Sequence, residues 1–201
     1  MRNTLLLMIA LAAVLGAAPL KVVTGHVKAH TEVFGDSTID PQTDAIISHL
    51  ESDGTPESLS GYVTVAVSKL VSDNADRDEH MHEAMASSDF PEAVYTFGTI
   101  AKNDTGYTVE GSLTLHGVIK PLTLEVQMTQ EDNHLKMSGT GSLLMSNFGI
   151  EPPTLLFLTV RDRVDITFDL TLSQAHRLCR VFRDESAALA GGSGGAAPRS
   201  F

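Results

Sequence analysis

This chain has one cysteine and no tryptophan, and aromatic residues make up only 5% of it. A single cysteine, Cys179, excludes an intrachain disulfide and leaves the redox compartment unreadable from pairing. Positive charge is also scarce, with 14 Lys and Arg against 25 Asp and Glu, for a net charge of −11. Phosphate backbones are gripped by clustered Lys and Arg, so this balance argues against a nucleic-acid partner. The acidity most simply serves solubility. Outside the Gly-Ser-rich stretch at 191–195, the sequence has no Gly-x-Ser-x-Gly pattern, and it has no phosphate-binding loop and no metal-hydrolase helix pattern. Carboxylates are plentiful, but nothing converges on catalysis. The chain reads as a non-enzyme, with no catalytic residue and no cofactor assigned.

Long apolar runs are missing too, with one exception. Leu5 to Leu15 is uninterrupted, preceded by Arg2 and followed by Gly16-Ala17-Ala18. A basic start, an apolar centre and small residues at the end are the layout of a secretory signal peptide. The run falls short of the roughly 20 residues that a membrane helix needs. The expected organisation is a signal peptide over 1–18, one β domain over 19–174, and a tail over 175–201. That tail would be partly helical, then disordered through its Gly-Ser-rich stretch at 191–195. No stable membrane span is expected after cleavage, and the protein should be periplasmic or secreted.

What is present is alternation. Val164, Ile166, Phe168, Leu170 and Leu172 alternate with Asp165, Thr167, Asp169 and Thr171. Val63, Val65 and Val67 share one face of a segment over 59–70, as do Val27, Ala29, Thr31 and Val33 of an earlier one. Leu113 and Leu115, then Leu122, Leu124 and Val126, read as a hairpin folded around Gly117-Val118-Ile119-Lys120-Pro121. About eight strands at near-regular spacing suggest a barrel or sandwich. Strict alternation argues against a doubly wound parallel sheet, whose strands are apolar on both faces.

One internal stretch differs. Residues 73–88 hold good helix formers, a cap in Asp73 or Asn74, and Met81 and Met85 four apart on one face. His80 and His82 flank Met81, and His26 and His30 share a strand face with Glu32, which raises a metal reading. In a helix His80 and His82 diverge, and the strand pair lies opposite the apolar face, so a solvated polar face is the preferred account. No metal ligand is assigned.

Five stretches occur in a recognisable order: Arg77-Asp78-Glu79-His80-Met81, Phe90-Pro91-Glu92-Ala93-Val94-Tyr95-Thr96-Phe97, Leu113-Thr114-Leu115-His116-Gly117-Val118-Ile119-Lys120-Pro121, Asn147-Phe148-Gly149-Ile150 and Val164-Asp165-Ile166-Thr167-Phe168. This ordered set resembles the YceI-like family over roughly residues 21–173. The resemblance implies an all-β fold with one short helix, an antiparallel eight-stranded lipocalin-like β-barrel. It also implies export in bacteria and a long apolar ligand such as a polyisoprenoid or a fatty-acyl derivative.

An eight-stranded barrel is just wide enough to be filled by side chains or to hold one small ligand. The expected inward, ligand-binding residues are Val63, Val65, Val67, Leu113, Leu115, Leu122, Leu124, Val126, Leu135, Met137, Leu143, Met145, Val164, Ile166, Phe168 and Leu170. Gly139 and Gly141 fall on the face of Met137 and Leu143, and their missing side chains are expected to leave room for a cavity. Arg77 is the candidate for an acidic or phosphorylated head group, against a plain helix-surface ion pair. The first functional expectation is an exported carrier that stores, sequesters or transfers a long-chain apolar lipid. The alternatives are an envelope structural or stress-interaction protein with a packed barrel, and a metal or redox accessory protein. Whether the chain forms a homodimer is left open.

Overall fold

The computed structural model describes residues 17–33, 37–155 and 158–174. Apart from Ala17 and Ala18, the expected signal segment lies outside these residues, and so does the expected tail. The strands are β1 (Ala18–Val33), β2 (Ser37–Ile39), β3 (Gln42–Thr43), β4 (Ile46–Ser52), β5 (Ser60–Ala66) and β6 (Glu92–Asn103). They continue as β7 (Gly106–Leu115), β8 (Val118–Glu131), β9 (His134–Leu144), β10 (Thr154–Leu155), β11 (Leu158–Thr159) and β12 (Arg163–Gln174). The helix α1 spans Ala75–Ala84, between β5 and β6.

Strands β4 to β9 form an antiparallel meander that β12 continues, and β1 closes the ring by pairing with both β12 and β4. The expected eight-stranded antiparallel barrel is therefore the fold. Closure removes the raw edges that an open sheet of this size would present.

The β7–β8 hairpin differs from the expected five-residue turn. Leu115 pairs directly with Val118, so the turn is only His116-Gly117. Both residues have positive φ, 50° and 73°, the signature of a type I′ turn that matches the twist of the strands. A Cβ at Gly117 would also stand 2.6 Å from the Phe90 ring. A second departure concerns Val67. Strand β5 ends at Ala66, and Val67 begins a 3-10 turn over Val67–Lys69, where it is fully buried.

Two bulges break the inside–outside alternation. In β1 the register with β12 shifts between Val22 and Thr24. In β6 it shifts between Phe97 and Thr99, so Phe97 and Ile100 are both buried although three positions apart. The barrel wall is also uneven. The β8–β9 pairing runs from Glu125 to Glu131. Beside the earlier half of β8, a 3-10 turn at Met145–Phe148 buries Phe148, and His116 Nδ1 donates to the Phe148 carbonyl at 3.1 Å. Pro121 sits in that earlier half, where its missing N–H costs β9 no ladder bond.

Candidate functional site

The pairing registers sort the barrel interior into two halves. At the end formed by the tight β6–β7 and β8–β9 turns, Leu20, Leu50, Leu59, Ile100, Val109, Val126, Leu135, Met137 and Leu172 pack into a closed core. At the end covered by α1, the interior is hollow. The cavity there measures about 630 Å³, in the range of small-molecule sites. Val27 and Ala29 of β1, Val63 and Val65 of β5, and Ala93, Tyr95 and Phe97 of β6 supply part of its wall. Leu113, Leu115, Leu122, Leu124, Leu143, Met145, Val164, Ile166, Phe168 and Leu170 supply most of the rest.

The expected inward residues therefore divide. Val63, Val65, Leu113, Leu115, Leu122, Leu124, Leu143, Met145, Val164, Ile166, Phe168 and Leu170 line the cavity. Val67, Val126, Leu135 and Met137 do not, because they are buried in packed regions. Alternation tells which face is inward; it does not tell how far along the barrel axis a residue lies. Tyr95, Phe97, Met81, Met85, Ile39, Pro41, Ile150, Pro153 and Val160 also line the space and were not anticipated as ligand contacts.

The glycine expectation is overturned. A Cβ on Gly139 would lie 2.7 Å from the Phe168 ring, and one on Gly141 would strike Leu124. The room these glycines leave is taken by those neighbours. The same holds at Gly111, where a Cβ would meet the Tyr95 ring. The Tyr95 hydroxyl crosses that glycine to donate to the Leu122 carbonyl at 3.1 Å, and lies 3.3 Å from that of Val109. Burial pushes the Tyr95 phenol above its ordinary pKa, so it stays a neutral donor.

The mouth is built by α1 and by the segment 37–43. Asn74 caps the helix, its side-chain oxygen accepting from the Arg77 amide at 3.0 Å. Asp78 accepts both of its contacts from the Ser72 amide, at 2.9 Å each, which fixes the entry loop and keeps this carboxylate out of the cavity. Met81 and Met85 face the hollow. Arg77 reaches the rim, where it ion-pairs with Asp73 at 2.6 Å and donates to the Thr38 carbonyl at 3.2 Å.

Across the rim, Asp40 receives His30 at 2.7 Å, Lys28 at 3.1 Å and the Thr38 hydroxyl at 3.0 Å. The His30 bond, assisted by Lys28 and Thr38, outweighs burial and holds the Asp40 carboxyl at about 2, below its usual 3.8. These contacts clasp β1 to the segment carrying Ile39 and Pro41. The histidines are otherwise engaged: His26 with Asp44 at 2.7 Å, His80 with the Asp76 carbonyl at 2.6 Å, and His82 with the Leu70 carbonyl at 2.9 Å. Among the described residues, no three His, Cys, Asp or Glu side chains converge as a metal site, and no helix is long and apolar enough to cross a membrane.

Comparison with known proteins agrees with this geometry. A UPF0312 protein of Yersinia enterocolitica is 40% identical over 73 residues, covering 35% of this chain and 38% of the relative. A Yersinia pestis UPF0312 protein is 34% identical over 83 residues, covering 40% and 43% respectively. The aligned stretch thus spans about two fifths of these relatives' length. Among solved structures, Burkholderia cenocepacia BcnA superposes with a TM-score of 0.64 at 18% identity, covering 73% of this chain and 95% of that one. A polyisoprenoid binding domain from Saccharophagus degradans gives 0.59 at 11% identity, covering 79% and 99%. At such identities these neighbours speak for the fold. The YceI-like domain model matches residues 20–172, from the buried Leu20 of β1 to the buried Leu172 of β12, and the chain belongs to that family.

Proposed function

We infer that this protein is an exported, non-enzymatic carrier that holds a long apolar molecule, a polyisoprenoid or fatty-acyl derivative, in the hollow half of its barrel. The observation that carries this reading is the cavity itself: about 630 Å³, walled almost throughout by aliphatic and aromatic side chains, in a barrel whose other half is solid. Burying an alkyl chain there is worth roughly 0.8 kcal/mol per methylene, so no polar motif is needed for tight binding. The description of the Saccharophagus degradans neighbour as a polyisoprenoid binding domain supports the ligand class. Arg77 is the arginine among the cavity-lining residues, but Asp73 already meets its charge. That pairing favours an uncharged head group, hydrogen-bonded at the rim, over a phosphate. Export rests on the leader-like sequence of residues 1–18, and the role would be storage, sequestration or transfer of lipid in the envelope.

Native mass spectrometry of the purified protein, with solvent extraction of whatever is bound, tests the reading. One isoprenoid or acyl species per chain is the expected result. A bare mass that stays bare after isoprenoids and fatty acids are supplied would remove the carrier and leave a structural or stress-interaction protein of the envelope.

A further inference from the structure

We propose that the boundary between the two halves is a length stop: the site takes one apolar chain of about twenty carbons and refuses the remainder of a longer one. This rests on the apolar-ligand reading and adds the rule by which a ligand is chosen.

The bore of an eight-stranded barrel runs its whole height, roughly 34 Å along a ten-residue strand such as β7 before tilt. Here it is blocked part way. The packed layer of Val109, Val126, Met137 and Leu172 forms the blockage, and above it Tyr95, Phe168 and Leu124 line the hollow, each lying over a glycine of the neighbouring strand: Gly111, Gly139 and Gly141. A side chain at any of those positions would push its large neighbour out of place. The three glycines thus let the three large groups lie against the wall, which sets the width of the hollow above that layer.

The wall above the stop is also pinned. Tyr95 is tied at its tip to the Leu122 carbonyl, and its ring meets Phe97 edge to face at 5.2 Å. Swinging the ring aside would strand a buried hydroxyl, which is costly. Beneath this wall the core has nothing to yield: Leu50, Val109, Met137 and Leu172 are at most 2% exposed. A methylene group takes close to the roughly 30 Å³ of a water molecule, so about 630 Å³ holds on the order of twenty carbons. The mouth is the opposite case. It is edged by Met81 and Met85, whose unbranched side chains adapt to different shapes, so the head of the ligand is selected loosely and its length strictly.

The test is a competition titration of the full chain with isoprenoid alcohols of about ten, fifteen, twenty, thirty and forty carbons. Affinity should climb by about fourfold per methylene up to the twenty-carbon alcohol, then stop rising or fall. Leu113→Phe, which fills the hollow half, should move the break to a shorter alcohol. Phe168→Ala should move it to a longer one, with circular dichroism confirming that this variant is folded. Affinity that keeps climbing through the thirty- and forty-carbon alcohols in the unmodified protein overturns the length stop and spares the carrier. Absence of binding at every length overturns both.

Discussion

The two halves of this barrel are made from the same strands and follow the same alternation, yet one is solid and the other empty. Leu124 and Val126 are consecutive inward residues of β8; the first edges the cavity and the second is in the packed core. Leu170 and Leu172 of β12 divide in the same way. The difference lies in what covers each end. At the packed end, two-residue turns bring neighbouring strands together and large leucines converge from every side. At the other end, apart from the two-residue β7–β8 turn, the connections are long, and the one between β5 and β6 carries α1, which lies over the opening and leaves the bore unfilled. An inward face therefore serves stability or binding according to its height in the barrel.

Truncation should separate the halves most sharply. Leu50→Ala or Leu172→Ala leaves a void in close-packed surroundings and should cost about 2–5 kcal/mol in denaturant unfolding. Leu143→Ala, on a wall that already faces open space, should cost about 1 kcal/mol or less. Equal losses would mean that the halves are not distinct. Charge reverses the ranking for binding. Leu115→Asp puts a carboxylate into the apolar cavity and should weaken lipid binding by about a hundredfold or more. Glu125→Lys should leave lipid binding unchanged, since Glu125 is an exposed residue that accepts from Thr108 and Asn103.

The smallest effect belongs to the rim. Asp40 has a folded pKa below its unfolded one, so its stabilising share is present above about pH 4 and is lost as the pH falls through about 2. Its side chain is 34% exposed, so Asp40→Asn should cost below about 1 kcal/mol at neutral pH. In an acid titration monitored by tryptophan-free near-ultraviolet dichroism, that variant should lose part of the stability decline between pH 4 and 2. An unchanged acid limb would show that the clasp contributes nothing.

Most of the fold was legible because a half-buried strand writes its burial directly into alternation. The β12 strand is an uninterrupted example. Met81 and Met85 were legible as a helical stripe, though not as rim residues. Tyr95 and Phe97 escaped because the β6 bulge changes parity before Ile100, so no single face runs the length of that strand. The His116-Gly117 turn escaped because histidine stands where Asn or Asp usually signals a type I′ turn. Gly139 and Gly141 misled for a different reason. Whether an absent side chain leaves a space depends on the next strand, and Phe168 and Leu124 reach across to fill it.

Strand β1 has a consequence for how the molecule is made. The meander from β4 to β9 pairs neighbours in sequence and can zip up locally, whereas Leu20 must find Gln174. Contacts between the two ends of a chain are slow to form, because the whole intervening length must first be confined. Ring closure is thus the late step in folding, and until β12 has been synthesised β1 lacks one of its two neighbours. An unfinished chain exposes two strand edges that the finished one hides, which makes the time before closure the period of greatest exposure to aggregation.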